Sequence, residues 1–110
     1  MNWHHLDAEA VLQAAVVQSY QVPVLFFKHS TRCSISLMAK RAFEGSFQFT
    51  EEQVVPYFLD LLSFRPLSNQ LATDLGVPHE SPQLLLVKDG KCIYHASHSD
   101  IDAAALVKYL

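Results

Sequence analysis

Hydrophobic positions along the chain recur with two different periods, and the switches between them lay out the elements. Leu6, Ala10, Val11, Ala14, Ala15 and Val17 return at helical spacing and predict a first helix to Ser19, with Asp7 placed to cap it. Pro23 then opens the short run Val24-Leu25-Phe26-Phe27, whose branched and aromatic residues predict a strand buried on both faces. Lys28-His29-Ser30-Thr31-Arg32 reads as a polar turn that ends at Cys33. Beyond it, Ile35, Met38, Ala39, Ala42 and Phe43 fall at i, i+3, i+4, i+7 and i+8. That spacing is one apolar face of an amphipathic helix ending near Gly45.

Val54 to Leu61 reads as a second strand, with Pro56 near its start or on an edge because proline has no N–H to donate. Pro66 to Leu75 predicts a short helix, with Gly76 just past its end. Val77 to Pro82 is a loop. Gln83–Lys88 and Lys91–His95 flank Asp89-Gly90, the signature of a two-residue hairpin with positive φ at both turn positions. Ser99 or Asp100 starts a last helix through Tyr109. This order predicts one domain over 1–110 of the α/β class. The expected architecture is a thioredoxin-like fold, a central mixed four-stranded sheet flanked by helices. The helix after Cys33 is the crossover between the parallel strands, and the hairpin supplies the antiparallel pair.

Composition narrows the functional classes. Half of the 110 residues are hydrophobic and 17% are charged, as in ordinary globular domains. A net charge of −3 offers no basic footprint, so no nucleic-acid partner is expected. No apolar run approaches the ~20 residues of a membrane span, so no membrane partner is expected either. Met1-Asn2-Trp3-His4-His5 has neither a cationic nor an apolar segment of a secretory signal. With two cysteines and no export signal, a reducing, cytoplasmic location is expected, where a structural Cys33–Cys92 bridge would be unusual.

Cys33 stands where a buried strand ends and a helix begins. A thiolate there faces the unpaired N–H groups and positive end of the helix dipole, and Arg32, Lys28, His29 and Lys40 are close in sequence. Cys33-Ser34-Ile35-Ser36 has the spacing of the redox Cys-x-x-Cys motif, with Ser36 where a resolving cysteine would stand. The chain therefore cannot close a disulfide across this turn, and a mixed disulfide on Cys33 needs an outside thiol to resolve it. The polar neighbours Ser30, Thr31, Arg32, Ser34 and Ser36 favour a reactive cysteine over a buried, inert one. Cys92, beside Ile93 and Tyr94 in a strand, reads as structural. Ser81-Pro82 just before a strand is a candidate cis peptide; the thioredoxin-like fold expected here packs such a proline beside its redox cysteine, which implies Ser81 and Pro82, with Thr31, Arg32, Ser34 and Ser36, as substrate-binding residues. The six histidines show no ligand spacing, so no metal and no bound cofactor is expected. Leu37, Phe43, Phe47 and Phe49 read as packing residues rather than a cofactor box.

The stretch Phe27-Lys28-His29-Ser30-Thr31-Arg32-Cys33-Ser34-Ile35-Ser36 resembles the YtxJ family of monothiol bacilliredoxins. Ser81-Pro82-Gln83 with its hairpin, and His95-Ala96-Ser97-His98 before the last helix, resemble that family too. The resemblance implies a thiol–disulfide oxidoreductase that removes bacillithiol from oxidised cytosolic proteins. Cys33 would take the bacillithiol cap and be freed by another low-molecular-weight thiol or a reductase. Many members carry proline directly after the cysteine. Ser34 stands there in this chain, which relaxes how firmly the first helical turn is set and leaves the nucleophile in place. Two other readings compete. One is an iron–sulfur cluster carrier like the monothiol glutaredoxins, whose Cys-Gly-Phe-Ser this chain lacks. The other is a non-catalytic thioredoxin-fold adaptor.

Overall fold

The computed structural model describes residues 1–110. Five strands form one mixed sheet: β1 (His4–His5), β2 (Val24–His29), β3 (Val55–Asp60), β4 (Gln83–Lys88) and β5 (Lys91–Ser97). Their order is β1-β3-β2-β4-β5, with β1, β3 and β2 parallel and β4 and β5 antiparallel to their neighbours. The expected sheet was four-stranded. The fifth strand is two residues long, too short for any period to register, and exists only through its pairing with Tyr57 and Phe58. That pairing leaves the preceding residue of β3, Pro56, without a partner on that side, where a missing N–H does no harm.

Three α-helices flank the sheet: α1 (Glu9–Gln18), α2 (Ser34–Ser46) and α3 (Arg65–Leu75). Alternate residues of β2 feed two separate cores. Val24 and Phe26 pack with Leu12, Ala15, Leu67 and Leu71 of α1 and α3. Leu25 and Phe27 pack with Phe43 of α2 and with Ala103 and Leu106 beyond the sheet. All four are fully buried, and burying a side chain of this size stabilises the fold by about 1.5–3 kcal/mol. The predicted two-sided strand is therefore the axis of the molecule. Phe47 and Phe49 pack against the second core as expected. Gly76 closes α3 in the left-handed region, and Asp89 and Gly90 both take positive φ in the hairpin turn.

Several local expectations are corrected. Asp7 does not cap α1, which starts later behind Ala8 and has no side-chain cap. Its buried residues are Leu12 and Ala15, while Ala14 and Val17 are exposed. The last helix is not α: His98–Asp100 and Ala103–Tyr109 are 3-10 turns, the second capped by Asp102 accepting from the Ala104 N–H. A rise of three residues per turn puts Ala103, Leu106 and Tyr109 on one side, which suits a short segment closing the second core. Lys28 and His29 do not lie in a polar turn. They are the last two residues of β2 and are buried.

The largest correction concerns α2. Ile35 and Met38, on the predicted apolar face, are both 69% exposed, whereas Ser36 and Phe43 are buried. The inward position beside the end of β2 belongs to a serine because a buried histidine there supplies its hydrogen-bond partner.

Candidate functional site

Cys33 caps α2 from an extended conformation, with its N–H bonded to the Ser30 carbonyl and its own carbonyl accepting from the Leu37 N–H. The side chain is exposed and free. The first-turn N–H groups of α2 have no carbonyl behind them, so Cys33 stands at a helix end with unpaired backbone donors, to which its side chain makes no cap hydrogen bond.

Thr31, Arg32 and Ser34 are exposed around Cys33, and the Thr31 hydroxyl reaches the Asp60 carboxylate at 3.5 Å. Ser36 differs from them. It is 1% exposed, its oxygen accepts from the Ser30 N–H at 3.2 Å, and it shares a 2.6 Å hydrogen bond with His29 Nδ1. Thus Ser36 is part of the site's frame and has no exposed surface to offer a ligand.

The Ser81-Pro82 peptide is cis, and the Pro82 carbonyl accepts from the His98 N–H at 3.0 Å. The Ser81 hydroxyl is buried without a partner, and its main chain directly precedes the β4 ladder. Pro82 lines a groove of about 330 Å³ with Ile35, Met38, Ala39, Ala42 and Ile101. This groove begins two residues after Cys33 and is lined by the outward apolar face of α2. His98 also lines it, at φ +56°, a conformation a non-glycine residue adopts at some strain.

The two buried residues at the end of β2 point to opposite faces of the sheet, as consecutive strand residues must. Lys28 lies on the α3 side, donating to the Ser68 carbonyl and to His79 Nδ1, both at 3.3 Å. Burial pushes its ammonium down to about 8. His29 lies on the α2 side against Ser36 and the Phe58 ring. Burial, then the Lys40 ammonium, holds its imidazole below the usual value, against the opposing pull of Asp60, Glu44 and Ser36. Lys40 itself is held by Glu44 at 2.9 Å, which also accepts from the Trp3 indole at 2.6 Å. Of the four cations expected to surround Cys33, only Arg32 is both close in sequence and freely exposed.

Cys92 is half-buried, donates to the Tyr94 carbonyl at 3.4 Å, and has its thiol pushed up by burial. It pairs with Val87, which pairs with Val24 at the start of β2, whereas Cys33 follows the end of β2. The length of β2, about 16 Å at 3.3 Å per residue, separates these two ends of the sheet. A disulfide requires Cα atoms within about 7 Å, so Cys92 cannot resolve Cys33 in the folded chain.

Sequence reasoning singled out Cys33 and the Ser81-Pro82 loop, read His29 as a nearby cation in a polar turn rather than a buried partner of Ser36, and did not foresee Ile35, Met38, His98 and Ile101 as groove residues. A polar pair directly after a four-residue apolar run was the available signal for His29. Nothing local announced the positive φ of His98.

Comparison with known proteins agrees with this fold. A family model described as monothiol bacilliredoxin BrxC matches residues 4–106. A solved protein described as a candidate oxidoreductase with a thioredoxin fold is 27% identical, with a TM-score of 0.80 over 94% of this chain and 89% of that one. The thioredoxin of Malassezia sympodialis is 16% identical, with a TM-score of 0.72 over 98% and 87% of the two chains. That of Fasciola hepatica is 14% identical, with a TM-score of 0.73 over 96% and 94%. The last two likenesses speak for the fold alone.

Proposed function

The chain belongs to the monothiol bacilliredoxin family, and from that premise we propose that it removes bacillithiol from mixed disulfides of cytosolic proteins, with Cys33 as the attacking thiol. The observation that carries this reading is the isolation of Cys33. It is exposed at the head of α2, a serine stands three residues on, and the second thiol lies at the far end of the sheet. Such a sulfur has no internal partner and works by accepting and handing on a cap.

The chemistry balances in two exchanges. The Cys33 thiolate attacks the bacillithiol sulfur of the mixed disulfide. A new S–S bond forms between Cys33 and bacillithiol, and the client sulfur leaves as thiolate. A second thiolate from solution then attacks the bacillithiol sulfur and releases Cys33. A helix-end sulfur suits both steps, since stabilising its thiolate makes it a better leaving group in the second. On this reading the client's disulfide lies against the Ser81 main chain and Pro82, among Thr31, Arg32 and Ser34. The bacillithiol enters as a co-substrate, and no resident cofactor takes part. Ser36 supports the site from behind.

Intact mass spectrometry of the reduced protein mixed with a bacillithiolated test protein checks the proposal. The bacillithiol mass moves onto the wild type and onto Cys92→Ser, and not onto Cys33→Ser. Absence of transfer to all three would sink the oxidoreductase reading. Transfer to Cys33→Ser would reassign the nucleophile.

A further inference from the structure

Strand β5 ends at Ser97, and the chain turns at once to run along the groove beside α2. His98 makes that turn at φ +56°, in the left-handed region that few side chains accept. A residue stays there only when its surroundings hold it. The His98 N–H donates to the Pro82 carbonyl at 3.0 Å, and its carbonyl accepts from the Ile101 N–H at 3.4 Å. Its imidazole Nδ1 faces the Glu80 carboxylate at 3.5 Å. Pro82 and Ile101 both line the groove that Ile35 and Met38 border from α2. His98 thus ties the groove's far wall together and reaches back to Glu80.

Glu80 and Pro82 flank Ser81, which makes no hydrogen bond to the chain. Its N–H and carbonyl have no main-chain partner, and its hydroxyl is buried without one. The other tether of this loop is Gln83. Its Oε1 accepts from the Glu80 N–H at 3.4 Å, and its amide donates to the Pro78 carbonyl at 3.1 Å. Gln83 therefore fixes the approach to the loop, while the residues on either side of Ser81 are both held by His98.

We propose that His98 is a positioning residue for the mixed-disulfide substrate, holding the Glu80-Ser81-Pro82 loop and Ile101 in register with the groove that begins beside Cys33. Its main chain sets where the loop and the wall stand. Its imidazole keeps the Glu80 side of the loop from swinging away. The left-handed φ is what making all of these contacts from one residue costs, since an extended residue would carry the chain on along β5. The effect of His98 runs through the loop and not through the sulfur. The inference rests on the Ser81-Pro82 loop being where the substrate's disulfide lies, as proposed above.

The test compares two reactions of Cys33 in the full chain. Uptake of bacillithiol from a bacillithiolated test protein, followed by intact mass at several test-protein concentrations, needs a seated substrate. Alkylation by iodoacetamide, a small reagent, does not. His98→Gly keeps the N–H and the left-handed φ and frees Glu80. It should slow uptake about threefold, the scale of one half-exposed ion pair. His98→Val takes that φ only under strain and offers Glu80 no partner. It should slow uptake about tenfold, through a higher half-saturating concentration and not a lower limiting rate. His98→Asn accepts the left-handed φ and carries an amide donor, so it should stay within about twofold of the wild type. Iodoacetamide should alkylate Cys33 equally fast in the wild type and in every variant. Uptake by the valine variant as fast as the wild type, an asparagine variant no faster than valine, or alkylation that falls in step with uptake would each overturn the proposal. If the valine variant does not fold in urea titrations, the difference between glycine and asparagine decides. A wild type that alkylates but takes up no bacillithiol removes the functional reading itself. Wild-type uptake with unaffected variants removes the role of His98 alone.

Discussion

The two ends of the sheet hold one cysteine each and are built from opposite materials. At the end where β2 finishes, Cys33 is exposed, and behind it Lys28, His29, Ser36 and Gln83 are all buried polar groups. At the hairpin end, Cys92 packs against the core that contains the fully buried Val24 and Val87. The same side chain is thus offered to solvent at one end and desolvated at the other. What separates the two thiols is their surroundings: a buried polar frame stands behind the exposed one, and an apolar core surrounds the half-buried one.

The sharpest way to break this comparison is to ask the thiols directly. With native protein near neutral pH, iodoacetamide should label Cys33 faster than Cys92 by on the order of a hundredfold, because burial protects the second and pushes its thiol up. In urea the two rates should converge. Comparable labelling in the native state would mean that the hairpin end opens easily or that the two environments do not differ as described.

The next effect is on stability. Lys28 is fully buried with no carboxylate partner, only the Ser68 carbonyl and His79. Lys28→Met should raise unfolding stability at pH 7 by about 2 kcal/mol in urea titrations. The sign of its pH dependence follows from the folded value of about 8 against 10.5 in the unfolded chain. Between those values the unfolded state holds the extra proton, so the wild type gains stability as pH rises. The advantage of the methionine variant should shrink across the same window. A difference that does not vary with pH would show that the lysine is not buried as a charge.

A smaller effect lies on the acid side. His29 and His79 both have imidazoles held below the usual 6.5 by burial, so the unfolded chain binds protons first as pH falls. Stability should therefore be fully present above about pH 6.5 and be lost below it, toward their lower folded values. The loss between pH 7 and 5 should be on the order of 1 kcal/mol, mostly from His29, since His79 is exposed and screened. His29→Phe should flatten this slope, while Cys92→Ala at the other end should leave it unchanged. Equal slopes in all three proteins would dissolve the contrast between a titrating end and a silent one.

Read as a string, the chain already declares its two-sided strand Val24–Phe27, the hairpin turn at Asp89-Gly90, the stop at Gly76, and a cysteine at a strand-to-helix junction with serine three residues later. These are local facts: turn chemistry, short-range period and the conformational freedom of single residues act within a few positions. They were enough for the fold class and for placing Cys33 at the head of a helix. The face that α2 turns inward was not local. Ile35, Met38 and Ala42 look like a core stripe, yet they flank a groove because Pro82 and Ile101 arrive from a distant part of the chain. Likewise Lys28 and His29 read as solvated until Ser68, His79 and Ser36 supply their partners, the first two from 40 and 51 residues away. Periodicity reports how apolar a surface is. Which surface is covered, and which polar group is matched well enough to be buried, depends on what the tertiary fold brings against it.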